Sequence, residues 1–296
     1  MNGLLNVYKE AGFTSMDVVA KLRGILKTRK IGHTGTLDPD ATGVLPICIG
    51  NATKLCDMLT DTDKEYEAEM LLGRKTDTLD DSGTVLEEKA VAVSEDRVRE
   101  VVSCFVGGYN QIPPMYSALK VNGQKLCDLA RAGKTVERKP RRVEIYSIEI
   151  LEMKLPIVKM RIACGKGTYI RSLCDDIGEK LGCGACMKSL IRTRAAGFRI
   201  ESSYTLDQVQ QMADRGQVME HIIPTEHVFE HLYALTVTNQ YEKLLQNGNQ
   251  MYAHMLSESY SAEKGEQVRI YHADGRFCGV FTFDGRCYKP DKIFEL

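Results

Sequence analysis

Apolar and polar positions alternate in a way that divides most of the chain into short strands and helices. Residues 3–8, GLLNVY, form an apolar strand that runs into a Lys9-Glu10-Ala11-Gly12 turn. Val18, Val19, Leu22, Ile25 and Leu26 then recur with a helical period, and Ser15 stands where an N-cap is needed. A buried strand is expected over 44–49 and a short helix over 52–58. From Lys64 to Leu72 every second position is suited to a core, with Tyr66, Ala68, Met70 and Leu72 on one face. Ser94 is placed to cap a helix through Val98, Val101, Val102 and Phe105. Stretches 143–151 and 157–164, rich in Val and Ile, predict a hairpin around Pro156. The second strand leads into Gly165-Lys166-Gly167-Thr168, with Thr168 positioned to cap a helix carrying Ile170, Leu173, Cys174, Ile177 and Leu181. Residues 189–200 read as a basic strand, and Thr205 with Gln208 forms a capping box. Three further strands, 267–271, 277–283 and 286–289, are separated by Asp274-Gly275 and Asp284-Gly285 turns. Strands and helices mix without a repeating strand-helix-strand unit.

Two stretches escape this pattern. Residues 29–54, RKIGHTGTLDPDATGVLPICIGNATK, open with glycines, threonines, a histidine and two aspartates around Pro39. Ordering such a segment is entropically costly, so it is the first candidate for a site, although a plain surface connection has the same composition. Pro39 restricts Asp38 to an extended conformation and holds its carboxylate on a turn of limited shape. Residues 107–142 leave the core through Gly107 and Gly108, pass Pro113 and Pro114, and return along the basic run ERKPRR. That shape suits a grip on a polyanion, and equally a solvent loop. Arg171 falls in the first turn of a helix, where a cation is unfavourable unless an anion is its partner.

Composition narrows the class. The 296 residues, 43% hydrophobic and 27% charged, suit one good core and a second, smaller one. No apolar run approaches the roughly 18 residues of a membrane span, and no secretory leader is apparent, so a cytoplasmic protein is expected. The 10 cysteines are scattered and read as free thiols; Cys183 and Cys186 have metal-like spacing but nothing to complete a set. A net charge of −1 leaves the partner open, but basic residues cluster at Lys27, Arg29 and Lys30, at 138–142, and at Arg192, Arg194 and Arg199.

The stretch Gly32-His33-Thr34-Gly35-Thr36-Leu37-Asp38-Pro39, with Ala41, Gly43, Leu45, Gly50 and Ala52-Thr53-Lys54, closely resembles the signature of the bacterial tRNA pseudouridine-55 synthases, the TruB family. Lys9, Gly12, Thr14 and Ser15 resemble the family's N-terminal motif, and Lys64, Tyr66, Leu72-Gly73, Thr76-Asp77-Thr78, Asp80 and Gly83 its second. Pro113-Pro114 with Tyr116-Ser117-Ala118 and Lys120 resemble the start of its RNA-gripping insertion. Gly167 to Leu173 resemble its third active-site motif, and Leu190, Arg192 and Thr193 its last. The motifs run through most of the chain in the family's order.

The resemblance implies an α+β fold: a catalytic domain over 1–232 around a central, mainly antiparallel mixed sheet, with an insertion over about 107–142. A small β-rich, PUA-like RNA-binding domain is implied for 233–296. The implied reaction is isomerisation of uridine-55 in the TΨC stem-loop of tRNA, with no cofactor and no metal. Asp38 is then the catalytic carboxylate, acting on the ribose or as a base, and the sequence leaves both open. Arg171 is its charge partner and Tyr66 the platform for the flipped base. Tyr169 and Leu190 shape the pocket, and His33 enters the vacated space. Lys9, Lys30, Arg141 and Arg142 contact phosphates, and Asp80 sits near the rim. A monomer with tRNA as partner, no membrane association and no obligate protein partner is expected. Two rivals remain: a synthase for another RNA, and an RNA-binding protein without chemistry.

Overall fold

The computed structural model describes residues 1–121 and 123–295. In chain order the first elements are β1 (Gly3–Lys9), α1 (Ser15–Ile25), β2 (Ile31–His33), β3 (Thr42–Ile49), α2 (Cys56–Thr60) and β4 (Lys64–Leu72). They are followed by β5 (Arg74–Thr76), β6 (Val85–Glu88), α3 (Glu95–Ser103), β7 (Gly107–Gln111), β8 (Lys120–Val121), β9 (Gln124–Lys125) and α4 (Leu126–Arg131). Next come β10 (Arg141–Lys154), β11 (Ile157–Cys164), α5 (Ile170–Leu181), β12 (Ala185–Ala195), β13 (Phe198–Arg199) and α6 (Leu206–Asp214). The chain closes with β14 (Tyr233–Thr236), α7 (Glu242–Gln246), β15 (Gln267–Tyr271), β16 (Phe277–Phe283) and β17 (Tyr288–Ile293).

The main sheet has the order β1-β3-β12-β4-β11-β10-β7, with β2 on β3 and β13 on β12. Every pairing is antiparallel except β3 with β12, which run parallel and share only Ile191 with Thr42 and Arg192 with Gly43. That short seam joins two halves with separate cores. On one side Leu5, Val7, Leu45 and Ile47 pack under Val18, Val19 and Leu22 of α1 and Val209 of α6. On the other, the alternating face of β4 (Ala68, Met70) packs with Val98 and Val101 of α3 and with Leu173 and Ile177 of α5. The alternation of 64–72 is thus a strand with one face in the core, as its period implies. A second, four-stranded sheet, β14-β15-β16-β17, has its own core around Leu235, Val268, Ile270 and Phe281. Phe277 and Phe294 dock it against Leu4, Leu55 and Leu59. The expected α+β class with a mixed, mainly antiparallel sheet is therefore correct.

Three local expectations change. Thr14, not Ser15, caps α1, forming a reciprocal box with Asp17. Ser15 is buried in the first turn and its hydroxyl is taken by the Leu37 backbone instead. Likewise Tyr169 is the N-cap of α5, while the Thr168 hydroxyl donates back to the Gly165 carbonyl at 2.9 Å. Residues 107–111 belong to the main sheet as its edge strand β7, paired with Arg141 to Ile145 of β10, so the excursion starts beyond Gln111.

Candidate active site

Between β2 and β3 the chain leaves the sheet and returns, and the loop it forms is tied from below. The Ser15 hydroxyl accepts from the Leu37 amide at 2.9 Å, and the Gly12 amide donates to the Pro39 carbonyl at 3.0 Å. Leu37 points inward and is buried. Lys9 is 0% exposed, and its ammonium donates to the carbonyls of Pro39 (2.8 Å) and Ala41 (2.6 Å). The expectation that Lys9 contacts phosphate is therefore wrong: its charge is spent within the protein, gathering the carbonyls that flank Asp38. Burial pushes its pKa down to about 8. Gly43 closes the loop with φ +105°, and a Cβ there would lie 2.2 Å from the Arg192 carbonyl, so only glycine fits the parallel seam.

This framework presents Asp38 to the N-terminus of α5. The Arg171 guanidinium meets the carboxylate with two prongs, Nη2 to Oδ1 at 3.0 Å and Nε to Oδ2 at 2.9 Å. Arg171 is only 5% exposed at its side chain, and it also donates to the Thr78 carbonyl (3.0 Å) and the Tyr116 carbonyl (2.7 Å). Asp80 approaches its Nη1 at 3.7 Å. The unfavourable place of an arginine at a helix N-terminus is thus offset by two carboxylates. Asp38 is 37% exposed yet lies deep in a concave site, and desolvation raises its pKa while Arg171 opposes the rise. The result is a carboxylate held in fixed orientation and accessible from the cleft.

The cleft has two lobes, of about 260 and 670 Å³, which share Asp38, Tyr116, Arg171 and Leu190 in their walls. Tyr66, Lys64, Tyr169 and Arg192 line the smaller lobe; Asp80, Arg131 and Lys188 line the larger. Tyr66 projects from β4 with its hydroxyl pushed up to about 12 by burial, while the nearby Arg192 works in the opposite direction. The Tyr169 hydroxyl lies beside Ser117 of the excursion and is also raised by burial. Gln111 clamps the peptide of Tyr169 from β7: its Oε1 accepts from the Tyr169 amide at 2.8 Å, and its Nε2 donates to the Tyr169 carbonyl at 3.0 Å. The same Nε2 donates to the Tyr109 hydroxyl.

Asp38, Tyr66, Asp80, Tyr169, Arg171 and Leu190 are therefore brought together around one cleft. His33 is not among the lining side chains; it sits behind the loop on β2, where burial and Arg192 lower its pKa. Lys30 is exposed and donates to Asn51 at 3.2 Å, next to the second sheet. Arg141 and Arg142 are exposed at the start of β10, and Arg142 lies over Gly108. Arg192 is 1% exposed, so it does not belong to a surface cluster with Arg194 and Arg199. Gln111, Lys64 and Arg192 were not singled out as site residues. The signals for Arg192 are its place in the family's last motif and its position two residues after Leu190, which puts both on one face of a strand.

A cleft on a mixed sheet that gathers two carboxylates, Asp38 and Asp80, with Arg171 and two tyrosines fits a pseudouridine synthase catalytic module, and the family comparisons identify it as one. The model of the TruB family pseudouridylate synthase N-terminal domain matches residues 23–170, and that of the tRNA pseudouridylate synthase B C-terminal domain matches residues 171–230. A tRNA pseudouridine synthase B of Lachnoclostridium phytofermentans is 50% identical over 99% of this chain and 100% of its own length. One of Alkaliphilus oremlandii is 45% identical over 92% of this chain and 90% of its own. Among solved structures, an H/ACA RNP bound to a substrate RNA containing 2′-deoxyuridine matches with a TM-score of 0.73 and 26% identity, over 99% of this chain and 85% of that one. The chain belongs to the TruB family of pseudouridine synthases.

Proposed function

We propose that this protein converts uridine-55 in the TΨC loop of tRNA to pseudouridine. The observation that carries the reading is the two-pronged Arg171–Asp38 pair at the floor of a cleft beside Tyr66. The names of its relatives support tRNA as substrate.

The reaction detaches uracil from the ribose at N1 and reattaches it at C5. It consumes no electron carrier and no second substrate, so a single oriented carboxylate with its supports suffices. The target base is stacked within a folded loop and must be extruded first. In this reading the base lies on Tyr66 between Leu190 and Tyr169, and His33 enters the space it leaves. Asp38 either attacks the ribose or takes a proton during cleavage, and for both roles Arg171 keeps it ionised against desolvation. Lys30, Arg141 and Arg142 serve phosphates, which position RNA without reading its sequence. Asp80 steadies Arg171 from the rim. Residues 1–232, with an insertion that leaves the sheet beyond Gln111 and returns at Arg141, form the catalytic unit, and 233–296 the small RNA-binding one. The protein acts on tRNA as a cytoplasmic monomer without an obligate protein partner and without a cofactor.

Purified protein incubated with an unmodified tRNA transcript, followed by mapping of pseudouridine at nucleotide resolution, tests this. Modification at position 55 alone is expected. No product, or product elsewhere, refutes it.

A further inference from the structure

Arg192 is the largest side chain buried to below 2% exposure, and among the described residues no carboxylate lies within ion-pair distance of it. A buried, unpaired guanidinium is costly, and several backbone carbonyls only partly offset that cost. Its Nε donates to the Val44 carbonyl at 2.7 Å and its Nη2 to the Gly35 carbonyl at 3.2 Å, which fixes it under the Asp38 loop at the β3–β12 seam. The guanidinium and the Tyr66 side chain both line the smaller lobe of the cleft, and the two groups influence each other electrostatically. Arg171 already neutralises Asp38, so the charge of Arg192 is left over for something that arrives.

If the cleft is where uridine is isomerised, the arriving anion is defined by the chemistry. When the C1′–N1 bond breaks, its electron pair leaves with the base, and uracil is negatively charged until C5 bonds to C1′. The C5 proton is then lost and N1 gains one, so the negative charge is transient. We propose that Arg192, acting through the Tyr66 hydroxyl, stabilises this uracil anion and is a positioning residue for cleavage of the glycosidic bond. It works by charge set in place before the reaction.

The test compares leaving groups. Fluorine at C5 stabilises the anion within the base itself, so a 5-fluorouridine stem-loop needs less help from the protein to break C1′–N1. Arg192→Met and wild type are compared in single-turnover reactions on uridine and 5-fluorouridine stem-loops, following disappearance of the starting nucleoside in digests. The loss on uridine is expected to be about a hundredfold, as for removal of one preorganised charge donor, and the loss on 5-fluorouridine about tenfold smaller. Tyr66→Phe is expected to give the same pattern, and Arg192→Met in the Tyr66→Phe background to add little further loss. Equal losses on both substrates, or additive losses in the double variant, overturn the inference. Should Arg192→Met not fold, Arg192→Lys carries the same comparison, because one ammonium cannot serve Val44, Gly35 and Tyr66 together. The inference rests on the proposed activity, and the two fail differently. A wild-type protein that makes no pseudouridine defeats the activity, whereas an active wild type with leaving-group-independent variants defeats only the role of Arg192.

Discussion

Replacing Arg171 with lysine keeps a positive charge at the N-terminus of α5 but removes the fork. The guanidinium makes two contacts with Asp38, at 3.0 and 2.9 Å, and donates to Thr78 and Tyr116 besides. One ammonium cannot satisfy all four acceptors in those places. A hydrogen bond to a charged group contributes about 1.5–3 kcal/mol, and the low end applies because Asp38 remains 37% exposed. Losing one such bond shifts the ionisation equilibrium of Asp38 about tenfold toward the neutral acid. Burial already raises its pKa, and the loss of Arg171's fork raises it further. Because the reaction needs the carboxylate, kcat/KM rises with pH through the Asp38 pKa. The acid limb of the Arg171→Lys profile therefore moves to higher pH, and the deficit is about tenfold larger on that limb than on the alkaline plateau. Release of tritium from C5 of labelled uridine in a stem-loop, measured across pH, reads this directly. A deficit of the same size at every pH would show that Arg171 does not act by holding Asp38 ionised.

Other groups give independent checks. Gln111→Glu keeps the shape of the clamp on Tyr169 but supplies a donor to its carbonyl only when protonated. Its activity relative to wild type should recover as pH falls, and a pH-independent ratio would contradict the clamp. Asp176 is pushed up to about 6, chiefly by burial. A raised carboxyl costs stability once pH exceeds its folded pKa and costs nothing below its unfolded value near 3.8. Asp176→Asn should therefore raise Tm at pH 7.5 by about 2–4 °C, with the gain fading between pH 6 and 4; calorimetry showing a loss at pH 7.5 would reject this. Neutralising Arg141 and Arg142 should weaken RNA binding more at low salt than at high salt, flattening the plot of log affinity against log salt by about one unit per lost phosphate contact. An unchanged slope in filter binding would mean that they act only within the protein.

Much of the frame was readable because periodicity reports burial. The alternation of 64–72 and the helical spacing from Val98 to Val102 follow directly from which face meets the core. Capping was read less well. Thr14 and Ser15, or Thr168 and Tyr169, are adjacent, and which one caps depends on a tertiary partner: Leu37 draws in Ser15, and Gln111 holds the peptide of Tyr169. Lys9 and Arg192 were legible as motif residues but not in their placement. A cation reads as a surface group, and nothing local reveals that three loop carbonyls will take an ammonium, or that a parallel seam two residues long will enclose a guanidinium. The pairing of Asp38 with Arg171 joins positions far apart in the chain. Apart from the family resemblance, which implies the pair, only the odd place of an arginine at a helix start points to it.

The central claim is that Asp38 performs chemistry on an RNA the rest of the cleft binds. Asp38→Asn should be measured for both affinity and turnover on the same TΨC stem-loop. The account predicts affinity within about tenfold of wild type, since phosphate contacts dominate binding, together with no detectable pseudouridine. Turnover near the wild-type rate would contradict it.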